Sequence, residues 1–132
     1  NNNLGFSEAD RTENIRRIAE VNKLFLDAGI VTINSFVSPT KDIRDLAKNI
    51  IGEQDFYEVY INASFEECAK RDVKGLYEKA LKGEIKNFTG LDAPFETPAD
   101  ATLEIKTAEQ SIEESIETIY AFFISKIKNL NS

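Results

Sequence analysis

Apolar residues recur along this chain at helical spacing and then at strand spacing, and the two alternate. Ile15, Ile18, Asn22 and Phe25 step along one helix face, which Ala19 and Leu26 widen. Ser7 with Asp10 resembles a capping box behind the apolar Phe6, and Gly29 stands where a C-terminal stop is expected. Ile30 to Val37 is β-branched and almost continuously apolar, which predicts a strand covered on both faces. Pro39 and Thr40 then open a second helix, with Ile43, Leu46, Ala47, Ile50 and Ile51 on its apolar face and Gly52 at its end. Phe56 to Ile61 reads as a second strand, and Ser64 with Glu67 caps a short helix running to about Arg71. Gly75 to Lys82 is another helical piece. Gly90, Pro94 and Pro98 make the stretch from Gly83 to Asp100 a long irregular loop. Thr102 to Lys106 fits a third strand. Thr107 with Gln110 is the expected cap of a last helix, whose Ile112, Ile116, Ile119, Tyr120, Phe123 and Ile127 form an apolar stripe.

Strands separated by helices predict βαβ units and a parallel sheet. Three strands are few for such a sheet, and the first has the composition of a strand buried on both faces. The expected fold is therefore α/β, a parallel sheet with helices on both faces, here missing its N-terminal strands. The chain of 132 residues contains no methionine, so residue 1 is not an encoded start. Both observations lead to the expectation that residues 1–132 are the C-terminal portion of a single larger domain.

Composition narrows the chemistry. With 42% hydrophobic residues the chain has material for a core. There is no histidine, which excludes Ser-His-Asp and Cys-His catalysis and any His-ligated metal. The single cysteine, Cys68, excludes an internal disulfide framework and a multi-cysteine zinc site, and reads as a small apolar residue of the interior. No apolar run approaches the roughly 20 residues of a membrane span, and no signal-peptide pattern opens the chain.

Charge is unevenly spread. Against a net charge of −7, the stretch from Lys70 to Lys86 holds six basic residues (Lys70, Arg71, Lys74, Lys79, Lys82, Lys86) and three acids. Arg11, Arg16 and Arg17 form a second basic cluster at the start of the first helix. Such islands are either solvated helix faces laced with ion pairs or sites for a small anion. No basic stripe interleaved with aromatic residues is present, so a nucleic-acid partner is not expected.

Several segments together resemble the adenosine 5′-phosphosulfate (APS) kinase family, adenylyl-sulfate kinases of the P-loop kinase type. They are Leu4-Gly5-Phe6-Ser7 with Asp10-Arg11 and Glu13-Asn14-Ile15-Arg16-Arg17-Ile18; Ser35-Phe36-Val37-Ser38-Pro39; Arg71-Asp72-Val73-Lys74-Gly75-Leu76-Tyr77; and Gly83-Glu84-Ile85-Lys86-Asn87-Phe88-Thr89-Gly90-Leu91-Asp92. The similarity runs from Leu4 to about Thr107. The family's P-loop has no counterpart here, nor does its Asp-Gly-Asp-Asn segment. Lys41 stands where many relatives carry arginine, and Phe95 where tyrosine is common.

The resemblance implies a three-layer P-loop kinase-like fold with a lid at about residues 70–98. It implies transfer of the γ-phosphate of ATP to the 3′-hydroxyl of APS in sulfate assimilation, with Mg2+ and ATP phosphates held mainly by the missing N-terminal part. It further implies a cytoplasmic homodimer. Phe6, Arg11, Asn14, Val37, Ser38, Lys74, Asn87 and Phe88 would bind APS, and Arg71 and Lys86 would lie against ATP. Alternatives stay open beside each role. Arg11 and Asn14 share a helix face near its N-terminus, which suits a phosphate or sulfate but equally an exposed pair bonded to Glu13 or Glu20. Phe6 either stacks on adenine opposite Phe88 or staples the helix to a core. Ser38 is the family's phosphoserine position. Without a histidine base, however, in-line transfer by positioning makes Ser38 and the Val37 backbone substrate-orienting groups, or simply the Ser-Pro start of a helix. For the whole chain, the alternatives are a nucleotide-binding fragment without turnover and a P-loop kinase for another small acceptor.

Overall fold

The computed structural model describes residues 1–5 and 7–127. The chain divides into two compact units, residues 1–56 with 79–98 and residues 57–78 with 99–132.

The first unit is built on two helices, α1 (Glu8–Asp27) and α2 (Lys41–Ile51). Ser7 caps α1 as expected: its Oγ accepts the Asp10 N–H at 3.1 Å and donates to the Asp10 carboxylate at 2.7 Å. The helix closes in a Schellman turn, with Gly29 at φ 76° donating to the Leu26 carbonyl and Ile30 to that of Phe25. Ile15, Ala19 and Asn22 form its buried face, and α2, capped by Thr40, packs against α1 through Ile43 and Arg44. Ile15, Ala19, Asn22 and Ile43 lie on the faces that the apolar spacing predicts, whereas Phe25 of the predicted α1 face is 45% exposed and the buried Arg44 lies outside the predicted α2 stripe.

The segment from Ile30 to Val37 corrects the sequence reading. It forms no regular element and belongs to no sheet, and Ile33 is 96% exposed. A strand is completed by its neighbours' backbone groups, and among the described residues none pairs with this one.

The second unit holds β1 (Val59–Asn62) and β2 (Leu103–Lys106), paired in parallel with Val59 opposite Leu103 and Ile61 opposite Ile105. Ile105 is its fully buried residue. Between the strands come α3 (Phe65–Arg71), capped by Ser64, and α4 (Leu76–Leu81), within which the two units divide. After β2 comes α5 (Ile112–Ile127).

The expected Thr107 cap of α5 is also corrected. Thr107 extends the strand pairing instead: its N–H donates to the Asn62 carbonyl at 3.0 Å, and its hydroxyl accepts from Arg71 at 3.1 Å. The cap falls to Ser111, which exchanges two bonds with Glu114 in a reciprocal box of 2.7 and 3.2 Å. On α5 the half-buried face is Ser115, Ile119, Phe122 and Phe123, with Tyr57 set edge-on to both phenylalanines. Ile112, Ile116 and Tyr120 from the predicted stripe are exposed. No helix among the described residues is long and apolar enough to cross a membrane.

Candidate functional site

In the first unit the site grows from the second turn of α1. The Arg11 guanidinium reaches across to the irregular loop, where Nη2 donates to the Asn87 carbonyl and Nη1 to Thr89 Oγ1, each at 2.5 Å. Glu13, the partner that an ion-pair reading offers Arg11, is instead shared by Arg16 and Arg17 at 2.7 Å each. These two guanidiniums hold its carboxyl down to about 2, well below the usual carboxylate range. The second basic cluster therefore separates by function: Arg16 and Arg17 lie along the helix in ion pairs, and Arg11 turns to the loop. Asn14, one turn on, accepts from the Asn1 side chain.

The loop is folded by a carboxylate. Asn87 sits at φ 57° in the left-handed region, and the two oxygens of Asp92 accept the successive N–H groups of Asn87, at 2.8 Å, and Phe88. The Phe88 carbonyl accepts in return from Leu91, Asp92 and Ala93. The result is a closed turn that displays Lys86 and Asn87 at the surface and half-buries Phe88. Its far end is fastened as well: the Glu96 N–H donates to the Pro39 carbonyl at 2.8 Å, and the Glu96 carboxylate accepts the Lys41 N–H at 2.6 Å, adding a charge to the N-terminus of α2.

Val37 and Ser38 lead into that same helix. Val37 is exposed, whereas Ser38 is half-buried at φ 37°, an unusual backbone for a residue before proline. The buried Arg44 donates to the Ser38 carbonyl at 3.0 Å and holds the turn in place.

In the second unit Arg71 and Lys74 line one hollow of about 270 Å³ together with Cys68, Asp72, Val73, Leu76 and Tyr77. Three N–H groups of Arg71 are engaged, by Glu67 at 2.9 Å, Thr107 Oγ1 at 3.1 Å and the Thr107 carbonyl at 2.8 Å. Asp72 repeats the device of Asp92, accepting the Tyr77 and Glu78 N–H groups at 3.0 Å each. These backbone donors lower its carboxyl below the ordinary value. Lys74 is exposed on the turn so formed. Burial, with the neighbouring Cys68, pushes the Tyr77 phenol up.

Of the residues singled out from the sequence, the first unit thus brings together Arg11, Asn87 and Phe88, with Lys86 beside them on the loop. Val37 and Ser38 lie where α2 begins, and the second unit brings together Arg71 and Lys74. Phe6 lies outside the described residues. A larger hollow, about 640 Å³, opens over Ser7, Glu8, Ala9, Thr12 and Glu13; its two acids suit a phosphate poorly. Sequence reasoning passed over Asp72, Asp92 and Glu96, which organise the basic turns. For Asp72 the available signal was an acid three residues before Gly75 inside the basic stretch; Asp92 and Glu96 lie beyond that stretch and carried no comparable signal.

Among the described residues no group of three or more Cys, Asp or Glu side chains is arranged to hold a metal ion, and the sequence contains no G-x-x-x-x-G-K-[ST] turn.

Known proteins give the site its context. The family model described as adenylylsulphate kinase matches residues 1–106. The chain is 60% identical over 128 residues to an adenylyl-sulfate kinase of Bacteroides thetaiotaomicron, covering 97% of this chain and 64% of the relative. It is 55% identical to that of Bacteroides fragilis, covering 96% and 63%. The chain therefore spans a little under two thirds of the length of these relatives. Among solved structures, the Mycobacterium tuberculosis APS kinase CysC in complex with AMPPNP and APS matches with a TM-score of 0.79 and 38% identity, over 88% of this chain and 68% of that one. That likeness identifies the small parallel sheet and its helices as part of a P-loop kinase α/β fold. On the family match and these identities, the chain belongs to the adenylylsulphate kinase family.

Proposed function

We propose that this chain is the acceptor-binding portion of an adenylyl-sulfate kinase, which passes the γ-phosphoryl group of ATP to the 3′-hydroxyl of APS and yields 3′-phosphoadenosine 5′-phosphosulfate. The observation that carries the reading is the joining of Arg11 to the Asn87–Thr89 turn. It draws a guanidinium, an amide side chain and an aromatic ring from two distant segments into one unit. A guanidinium grips a phosphate or sulfate through parallel N–H donors, and an aromatic face holds a base. The name shared by relatives at 55–60% identity supports the same reading, and so does the bound APS named for the Mycobacterium tuberculosis enzyme.

Within this reading Arg11, Asn14, Asn87 and Phe88 bind the acceptor, with Phe6 as a further aromatic contact. Ser38 and the Val37 backbone orient it at the start of α2; for the second unit, resemblance to the family assigns Lys74 to the acceptor. Arg71, with its N–H edge engaged by Glu67 and Thr107, meets the ATP base through its flat face, and Lys86 meets phosphate. The chain's own residues bind and orient; among the described residues no acidic group is arranged to hold Mg2+, and the sequence contains no Gly-rich phosphate turn. By likeness to the family the complete enzyme is a cytoplasmic homodimer of sulfate assimilation.

The test has two parts. Calorimetric titration of the 132-residue chain with APS should give saturable binding that Arg11→Ala weakens by about 1–3 kcal/mol. Fused behind the N-terminal third of the Bacteroides thetaiotaomicron relative, the chain should convert APS to its 3′-phosphate with ATP. A fusion that phosphorylates another small acceptor and leaves APS untouched overturns the proposal. The segment's lack of a Gly-rich phosphate loop favours one further reading, that these 132 residues alone bind nucleotide without turnover.

A further inference from the structure

We infer that Asp92 is a positioning residue for the acceptor: it sets the Asn87–Phe88 pair and does so without touching the nucleotide. The inference rests on the functional reading above.

Asn87 is a non-glycine residue at φ 57°, a conformation that L side chains rarely adopt and that needs local support. Two successive N–H groups with such a backbone between them form a small anion-binding concavity, a nest. Here the anion is supplied from within the chain. Asp92 places one oxygen on the Asn87 N–H at 2.8 Å and the other on that of Phe88, while its own N–H returns to the Phe88 carbonyl at 3.2 Å. With the amides tied inward, the Asn87 carbonyl and Thr89 hydroxyl are left facing Arg11, which bonds both. The carboxylate thus fixes two things at once: the direction of the Asn87 and Phe88 side chains, and the acceptors that hold Arg11 over the turn.

An alanine at 92 leaves two amides without their acceptor and lets Asn87 relax toward the common φ region. An asparagine of the same shape keeps one acceptor and turns an NH2 toward an N–H, so it is no substitute for the carboxylate. Neither change alters a group proposed to contact substrate.

The experiment compares the unaltered chain with Asp92→Ala and Asp92→Asn by amide hydrogen exchange and by calorimetric titration with APS, with urea unfolding as the control. Exchange at the Asn87 and Phe88 amides should accelerate at least tenfold in both variants, and APS affinity should fall by about tenfold while the unfolding midpoint moves little. Combined with Phe88→Ala, the Asp92→Ala change should cost clearly less than it does alone, because its effect passes through that side chain. Unchanged exchange, unchanged APS affinity in a variant that folds, or full additivity with Phe88→Ala would each overturn the inference. Failure of the unaltered chain to bind APS counts against the functional reading, and the exchange rates then decide the Asp92 role without ligand.

Discussion

Replacing Arg11 by alanine should release the 87–93 turn from α1, and the size of the effect follows from the two bonds lost. The bond to Thr89 is part-buried and the bond to the Asn87 carbonyl is exposed. A hydrogen bond with one charged partner contributes about 1.5–3 kcal/mol when sheltered, and solvent competition reduces an exposed one to a few tenths. Taking about 1.5 kcal/mol for the first and about 0.5 for the second gives about 2 kcal/mol, a roughly 30-fold change in the opening equilibrium of the turn. Amide exchange reads this directly at Gly90 and Ala93, whose N–H groups bond the Ala93 and Phe88 carbonyls inside the turn. Both should exchange roughly 30-fold faster in the variant, whereas amides buried between α1 and α2 should keep their rates. Arg11→Lys should behave nearly like alanine, because an ammonium group cannot span a carbonyl and a hydroxyl as a guanidinium fork does. Protection at Gly90 and Ala93 equal to that of the unaltered chain would refute the claim that Arg11 fastens this turn.

Ser111→Ala should destabilise α5 by about 1 kcal/mol, read as a lower urea midpoint and lost helical ellipticity. Thr107→Ala should leave the helix signal intact and instead loosen the end of β2 and free part of Arg71, seen as faster exchange near Asn62 and Thr107. Glu13 titrates at about 2 in the folded chain, against an ordinary 4.5. The stability it contributes is therefore fully present above about pH 4.5 and is lost as pH falls toward 2, because the unfolded chain takes up the proton first. Glu13→Gln should flatten this part of the acid unfolding profile; a profile identical to that of the unaltered chain would count against the Arg16–Glu13–Arg17 cluster.

Helices were legible where their signals are local. Ser7, Thr40 and Ser64 cap from within a few residues of the helices they begin, and Gly29 and Gly52 end theirs through their own backbone freedom. Ile30 to Val37 misled because β-branched composition reports a preference for extended backbone, while the strand itself depends on partners elsewhere. The start of α5 was ambiguous on its face. Thr107-x-x-Gln110 and Ser111-x-x-Glu114 are both capping boxes, and the choice fell to Asn62 and Arg71, which claim Thr107 from other segments. At the site, Arg11, Asn87 and Phe88 could be named from the motifs that resemble the family. The roles of Asp72, Asp92 and Glu96 could not, since each acts on backbone N–H groups that a left-handed residue or a distant turn brings within reach.

The exposed Ile30–Val37 segment should also influence how the isolated polypeptide behaves in solution. Eight residues rich in isoleucine and valine, outside any ladder and largely open to water, form an adhesive margin that can zip onto a like segment of another molecule. Colloidal behaviour should therefore depend steeply on concentration despite the net charge of −7. Handling the protein dilute, or placing a lysine at the fully bared Ile33, is the direct remedy.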